Sequence, residues 1–128
     1  MARTTISTGT PWERIAGYSR AVRVGDMVFV AGTTASDENG DLRGGDDPYA
    51  QAQYILEKIG AALRQAGASL QDVVRTRIYL ANIEDWQAVA RAHAEVFADV
   101  RPANTLVQVA GLVAGRLVEI DADAVVDR

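Results

Sequence analysis

Three carboxylates stand at alternate positions near the end of the chain: Glu119, Asp121 and Asp123, interleaved with Val118, Ile120, Ala122, Ala124 and Val126. A two-residue period is that of a β-strand, so the acids share one face and the apolar residues the other. Such a row can be a solvated surface. It can also pair with cations on neighbouring strands, for which Arg75 and Arg77 are the candidates. A third role belongs to the residue set deepest in a cleft, as a general acid/base that orients a water or substrate. Glu119, the innermost of the three, is the candidate for that role.

The other polar residues carry weaker signals. Asn104 follows Pro102-Ala103 at a strand entrance, where such side chains either cap backbone groups or offer an uncharged hydrogen-bonding contact to a ligand. His93 is the only histidine and falls on a helical apolar stripe, the place of a packed, hydrogen-bonded side chain. With no cysteine and no second histidine, nothing has metal-ligand spacing, and no metal site is expected. Ser19 lacks the G-x-S-x-G setting of a hydrolase nucleophile. Gly40, Gly44 and Gly45 lie among five acidic residues between Ser36 and Asp47, which would repel a phosphate.

These groups need elements to hold them. Val22 and Val24 alternate, Gly25-Asp26 offers a two-residue turn, and Met27 to Ala31 is an apolar run; together they predict a hairpin. A further strand at Thr4 to Thr8 is possible. Ser36 to Asp47 is a surface loop. Pro48 then opens a helix capped by Asp46 or Asp47, with Ala52, Ile55, Leu56, Ile59, Leu63 and Ala66 on one stripe and Gly67 at its end. The stretch Asp72 to Leu80 predicts a strand with Val74, Thr76, Ile78 and Leu80 on one face and Val73, Arg75, Arg77 and Tyr79 on the other. A second helix carries Trp86, Val89, Ala90, His93, Val96 and Phe97 on its stripe. Strands from Pro102 to Ala110 and Leu117 to Val126 complete the chain. The order β-β-α-β-α-β-β predicts an α+β domain: one mixed sheet with both helices on a single face. The other sheet face is also rich in small and apolar residues, and in so short a chain its natural cover is another subunit.

Bulk properties narrow the function classes. A chain of 128 residues, 48% hydrophobic and 23% charged, suits one domain with a packed core (1–128). A net charge of -4 and scattered arginines, with Lys58 the single lysine, argue against a nucleic-acid partner. Met1 to Thr10 lacks the apolar region of a signal peptide, and no apolar run nears the roughly 18 residues of a membrane span. A cytoplasmic protein without a membrane partner is the expectation.

Two longer segments resemble a known family. Gly17-Tyr18-Ser19-Arg20-Ala21-Val22-Arg23-Val24-Gly25, followed by Val28-Phe29-Val30-Ala31-Gly32, is similar to the N-terminal signature of the Rid/YjgF family. Arg101-Pro102-Ala103-Asn104-Thr105-Leu106-Val107-Gln108-Val109, with Leu117-Val118-Glu119-Ile120-Asp121-Ala122, resembles its C-terminal signature. Gly67 to Thr76 and Asp85-Trp86 fit its middle, so the likeness runs from about Ile15 to Val126. The resemblance implies a chorismate-mutase-like fold and a homotrimer with ligand clefts between subunits. It also implies hydrolysis of reactive 2-imino or enamine acids to 2-keto acids and ammonia, without cofactor or metal. Carried over by position, Tyr18 matches a pocket tyrosine, Glu119 the acid that positions water, and Ala31 and Gly32 the loop lining the pocket.

The departures are equally specific. The family's carboxylate-binding arginine follows Pro-Ala, where this chain has Asn104; Leu106 replaces a small residue, often cysteine; Ala90 stands where the second helix carries a pocket asparagine. An amide cannot supply a guanidinium's charge, worth about 1.5–3 kcal/mol in a charge-assisted contact. A ligand that is neutral or differently charged is therefore expected, unless Arg20 or Arg75 substitutes. The leading reading is an imine or enamine deaminase using Glu119 and Tyr18, with Asn104, Leu106, Ala90, Ala31 and Gly32 contacting substrate. The alternative is a non-catalytic protein that binds or senses a small metabolite. Ribonuclease activity, attached to the family by name, is disfavoured by the acidic charge.

Overall fold

A computed structural model describes residues 2–127. Six strands form one sheet in the order β1-β2-β3-β6-β4-β5: β1 (Arg3–Ile6), β2 (Ala21–Val24), β3 (Met27–Thr34), β4 (Val73–Leu80), β5 (Ala103–Gln108) and β6 (Val118–Val125). All neighbours are antiparallel except β4 and β5, so the sheet is mixed. The β2–β3 hairpin closes through Gly25-Asp26, with Val24 opposite Met27 and Gly25 in the left-handed region at φ +59°. The possible N-terminal strand exists, two residues earlier than Thr4 to Thr8 would place its end.

Three helices accompany the sheet: α1 (Pro11–Ala16), α2 (Pro48–Gln65) and α3 (Trp86–Phe97). The short α1 has no counterpart in the sequence reading. In α2, Asp47 accepts a hydrogen bond from the Tyr49 amide and Pro48 occupies the first turn, where its missing N–H costs nothing. Ala52, Ile55, Leu56, Ile59, Leu63 and Ala66 are all buried against the sheet, as their spacing predicts. In α3 the buried residues are Val89, Ala92 and Phe97, while Trp86 and Val96 are 48% and 37% exposed. Trp86 and Val96 were thus misassigned to the buried stripe, while Val89 and the last residue, Phe97, hold to it; α3 packs beside α2.

One strand departs from simple alternation. Val73 pairs with Ala124 but Arg75 pairs with Asp123, leaving Val74 as an inserted residue. This bulge turns Val73 inward beside Thr76, Ile78 and Leu80 and leaves Val74 49% exposed, reversing the expected roles of the two valines. The core lies between the helices and the sheet face bearing Val28, Val30, Ile78, Leu80, Val118, Ile120, Ala122 and Ala124. The opposite face carries Met27, Phe29, Val107 and Val125, each more than a third exposed, around the charged group Arg77, Asp121 and Asp123. No helix among the described residues is long and apolar enough to cross a membrane.

Candidate functional site

The acidic row of β6 divides by partner. Arg77 Nη1 donates to Asp121 at 3.0 Å and reaches Asp123 at 3.5 Å, and the Tyr79 hydroxyl donates to Asp121 at 2.9 Å. Two of the three acids are therefore ion-paired, by Arg77; Arg75 forms no ion pair among the described residues. Glu119 accepts no hydrogen bond from any described residue and lines a cavity. Burial raises its pKa, the neighbouring Asp121 raises it further, and Arg20 partly opposes both.

A second bulge creates the space for that carboxyl group. Val30 pairs with Ala122 and Thr33 with Ile120, so Ala31 and Gly32 together oppose the single residue Asp121. A side chain at residue 32 would collide with Glu119 Oε2. Glycine at this position lets the carboxylate lie against the β3 backbone.

Arg20 locks the bulge from the adjoining segment. Its Nη1 donates to Gly32 O at 3.2 Å and to Thr33 Oγ1 at 2.8 Å, and Nη2 donates to the Tyr18 hydroxyl at 3.3 Å. Because Tyr18 accepts that bond, its own proton remains to be donated into the cavity. The guanidinium is 3% exposed, and its buried Nε has no hydrogen-bond partner. Glu13 Oε2, 4.0 Å from Nε, balances the charge without a hydrogen bond. Glu13 is held in turn by Ser7, Thr8 and Thr10, including hydrogen bonds of 2.7 and 2.8 Å from the two threonine hydroxyls. Burial pushes its pKa up, but these bonds outweigh it and hold the value at about 2. This network explains α1: Thr10 and Glu13 tie its first turn to the strand before it.

The far wall is cationic. Lys58 Nζ, on α2, donates to Ser36 O at 2.6 Å. Burial and the nearby Arg20 lower its pKa to about 8, against the opposing pull of Glu13, Asp37 and Glu38. Ser36 is fixed by Arg116, whose Nε donates to Ser36 Oγ at 3.0 Å while Nη2 donates to Gly40 O at 2.8 Å. The cavity encloses about 200 Å³, with Trp12, Ala16 and Val113 as its apolar wall. That is below the roughly 300–1,000 Å³ of pockets for drug-sized ligands and suits a small metabolite.

Of the residues singled out from the sequence, Tyr18, Gly32 and Glu119 converge here. Ala31 does not line the cavity; it holds the bulge through its backbone, its N–H donating to Arg20 O and its carbonyl accepting from Thr33 Oγ1. Asn104, Leu106 and Ala90 lie elsewhere in the chain's own fold. Asn104 Nδ2 donates to Thr76 Oγ1 at 3.0 Å, and that hydroxyl meets His93 Nε2 at 2.8 Å. Leu106 packs against the core, and Ala90 is half-buried on α3. His93 is the packed, hydrogen-bonded histidine expected, its pKa lowered by burial. The sequence reading missed Lys58, Ser36, Thr10 and Trp12. Lys58 alone left a trace, since the chain's only lysine sits in the middle of α2, one position before the buried Ile59. Of the two arginines considered as substitutes for the family's, Arg20 lines the cavity and Arg75 does not, and Lys58 adds a second cation. A wider groove of about 450 Å³ runs between α2 and α3, but none of the site candidates lines it. Among the described residues no group of three or more His, Asp or Glu side chains could hold a metal ion.

A mixed six-stranded sheet with its helices on one face is the architecture of YjgF-like α+β proteins. The Rv2704 crystal structure from Mycobacterium tuberculosis, described as a member of the YjgF/YER057c/UK114 family, superposes with a TM-score of 0.89 and is 50% identical, covering 98% of this chain and 100% of that one. The sequence profile of the family described as Endoribonuclease L-PSP matches residues 9–126. The chain is 38% identical over 112 residues to the 3-aminoacrylate deaminase RutC of Acinetobacter baylyi, covering 88% of each protein. It is 30% identical over 125 residues to the human 2-iminobutanoate/2-iminopropanoate deaminase, covering 98% of this chain and 91% of that one. The protein belongs to the Rid/YjgF family, the endoribonuclease L-PSP family of that profile.

Proposed function

We propose that the protein hydrolyses a small reactive imine or enamine to the corresponding carbonyl compound and ammonia, in the cavity shared by Glu119 and Tyr18. The observation that carries this reading is the state of Glu119: an unengaged carboxyl group with a raised pKa, facing a small cavity beside a free phenolic proton. An imine is already electrophilic, so the site need only hold it, place a water and move protons. Glu119 takes a proton from water as its oxygen bonds to the imine carbon and passes that proton to nitrogen, giving a carbinolamine. Glu119 then takes the hydroxyl proton and delivers it to nitrogen as the carbonyl forms, the C–N bond breaks and ammonia leaves. An enamine enters the same route after protonation at carbon. Tyr18 donates to the oxygen or nitrogen that gains charge.

The reading includes a homotrimer in which a neighbouring copy covers the open sheet face and brings its own Asn104, Leu106 and Ala90 to the rim of the cavity. Support comes from the exposed Met27, Phe29, Val107 and Val125. The names of two relatives, one acting on 3-aminoacrylate and one on 2-iminobutanoate and 2-iminopropanoate, support the reaction class. The test is ammonia release from freshly generated imines, neutral and carboxylated, by purified protein. Hydrolysis no faster than in buffer for either class would sink the deaminase; tight binding without turnover would make the protein a metabolite binder instead.

A further inference from the structure

We infer that Lys58 is the anion-binding group of this cavity, so that a small carboxylate ligand lies with its charge against Lys58 and its reacting carbon toward Glu119. The inference rests on the deaminase reading for the role of Glu119 but assigns the substrate class and its orientation independently of turnover. It starts from how the two cations are used. Arg20 spends both terminal nitrogens on Gly32, Thr33 and Tyr18 and is charge-balanced by Glu13. It serves as a strut. Lys58 spends one of its three N–H donors on Ser36 O, which leaves two, and it has no carboxylate within ion-pair distance among the described residues.

The neighbourhood supports an anion at that end. Arg20, Glu13, Asp37 and Glu38 are the charges acting most strongly on Lys58, and Glu119 lines the same cavity, where it is kept for the reacting end of the ligand. Glu13 is committed to Arg20 and three hydroxyl-bearing residues, Asp37 is paired with Arg43 at 3.1 Å, and Glu38 is exposed. A half-buried ammonium with no carboxylate in ion-pair distance among the described residues gains most from a ligand carboxylate. The lowered pKa of Lys58, about 8, is the expected cost of holding that charge without a fixed partner. Residue 104 cannot perform this task within the chain, because Asn104 is uncharged and bonded to Thr76. The negative charge of a substrate is thus met by α2 rather than by β5.

Calorimetric titration of the full-length protein with pyruvate, and with its neutral isostere pyruvamide, tests this directly. At pH 7 pyruvate is expected to bind roughly tenfold more tightly than pyruvamide. Lys58→Met should abolish that preference, and Lys58→Arg should keep it within about threefold. A preference that survives Lys58→Met, or a wild-type protein with no preference for the anion, overturns the inference. Should Lys58→Met fail to fold, the wild-type pH profile decides. Pyruvate affinity must fall several-fold between pH 7 and 9.5 as Lys58 loses its proton, with pyruvamide unaffected, and a flat profile overturns the proposal. Turnover is not read here, so a protein that binds pyruvate through Lys58 yet hydrolyses no imine defeats only the deaminase reading. Undiminished hydrolysis of carboxylated imines by Lys58→Met would defeat only this one.

Discussion

Glu119 and Gly32 share one small volume: a Cβ on residue 32 would overlap Glu119 Oε2 and stand 3.0 Å from its Cδ. The obstructed atoms are the far end of a flexible side chain, so an added methyl group moves the carboxylate rather than the backbone. Gly32→Ala should therefore lower imine hydrolysis by roughly 100-fold while costing less than about 1.5 kcal/mol of stability. Paired rate assays and thermal melts check this; a variant that melts far lower, or one that keeps its rate, contradicts the geometry.

Glu13 carries the second prediction. Its carboxylate is 5% exposed and holds a pKa of about 2 in the folded protein, against 4.5 ordinarily. A depressed carboxylate pKa means that the unfolded chain binds more protons between those values. The stabilisation is present above pH 4.5 and is lost as pH falls from 4.5 towards 2. It amounts to on the order of 3 kcal/mol. Urea unfolding of wild type and Glu13→Gln across pH 2.5–7 should show the variant less stable at neutral pH and the gap closing with acid. A gap independent of pH would mean that the hydrogen bonds to Thr8 and Thr10, rather than the charge, carry the stabilisation.

Self-association is testable on the open sheet face. Phe29 is 42% exposed and pairs in register with Asp123 and Val22, outside the core. The expected mass by light scattering is three times that of the chain, and Phe29→Glu should reduce it to one, with the helical content of the monomer retained. A monomeric wild type would remove the neighbour's Asn104, Leu106 and Ala90 from the mechanism.

Periodicity made the core of this fold legible. The six apolar positions of α2 and the alternation of β6 follow from spacing alone, because each element buries one continuous face. What failed had local physical causes. Val73 and Val74 exchange sides through an inserted residue, and a bulge has no composition of its own. Trp86 and Val96 were placed inside because apolar spacing does not reveal which of its positions the partner surface covers. Helix α1 was invisible because six residues carry too little periodicity; it exists through Glu13 and its threonines. In the site, the acidic row and Arg77 pointed to cross-strand ion pairs, and register separated the paired Asp121 and Asp123 from Glu119, which lines the cavity. Lys58 was hidden since its α2 position says nothing of the Ser36 loop, 22 residues earlier in the chain, that turns it toward the cavity.

The most direct measurement is the hydrolysis rate of 2-iminopropanoate, generated in the assay, by wild type and by Glu119→Gln. The amide keeps the shape of the side chain and cannot take a proton from water, so the rate should fall by roughly 10²–10⁴-fold. Removing a half-buried carboxyl group whose charged form is disfavoured by burial should at the same time raise the melting temperature at pH 7. A Glu119→Gln protein that hydrolyses the imine as fast as wild type would contradict the central claim.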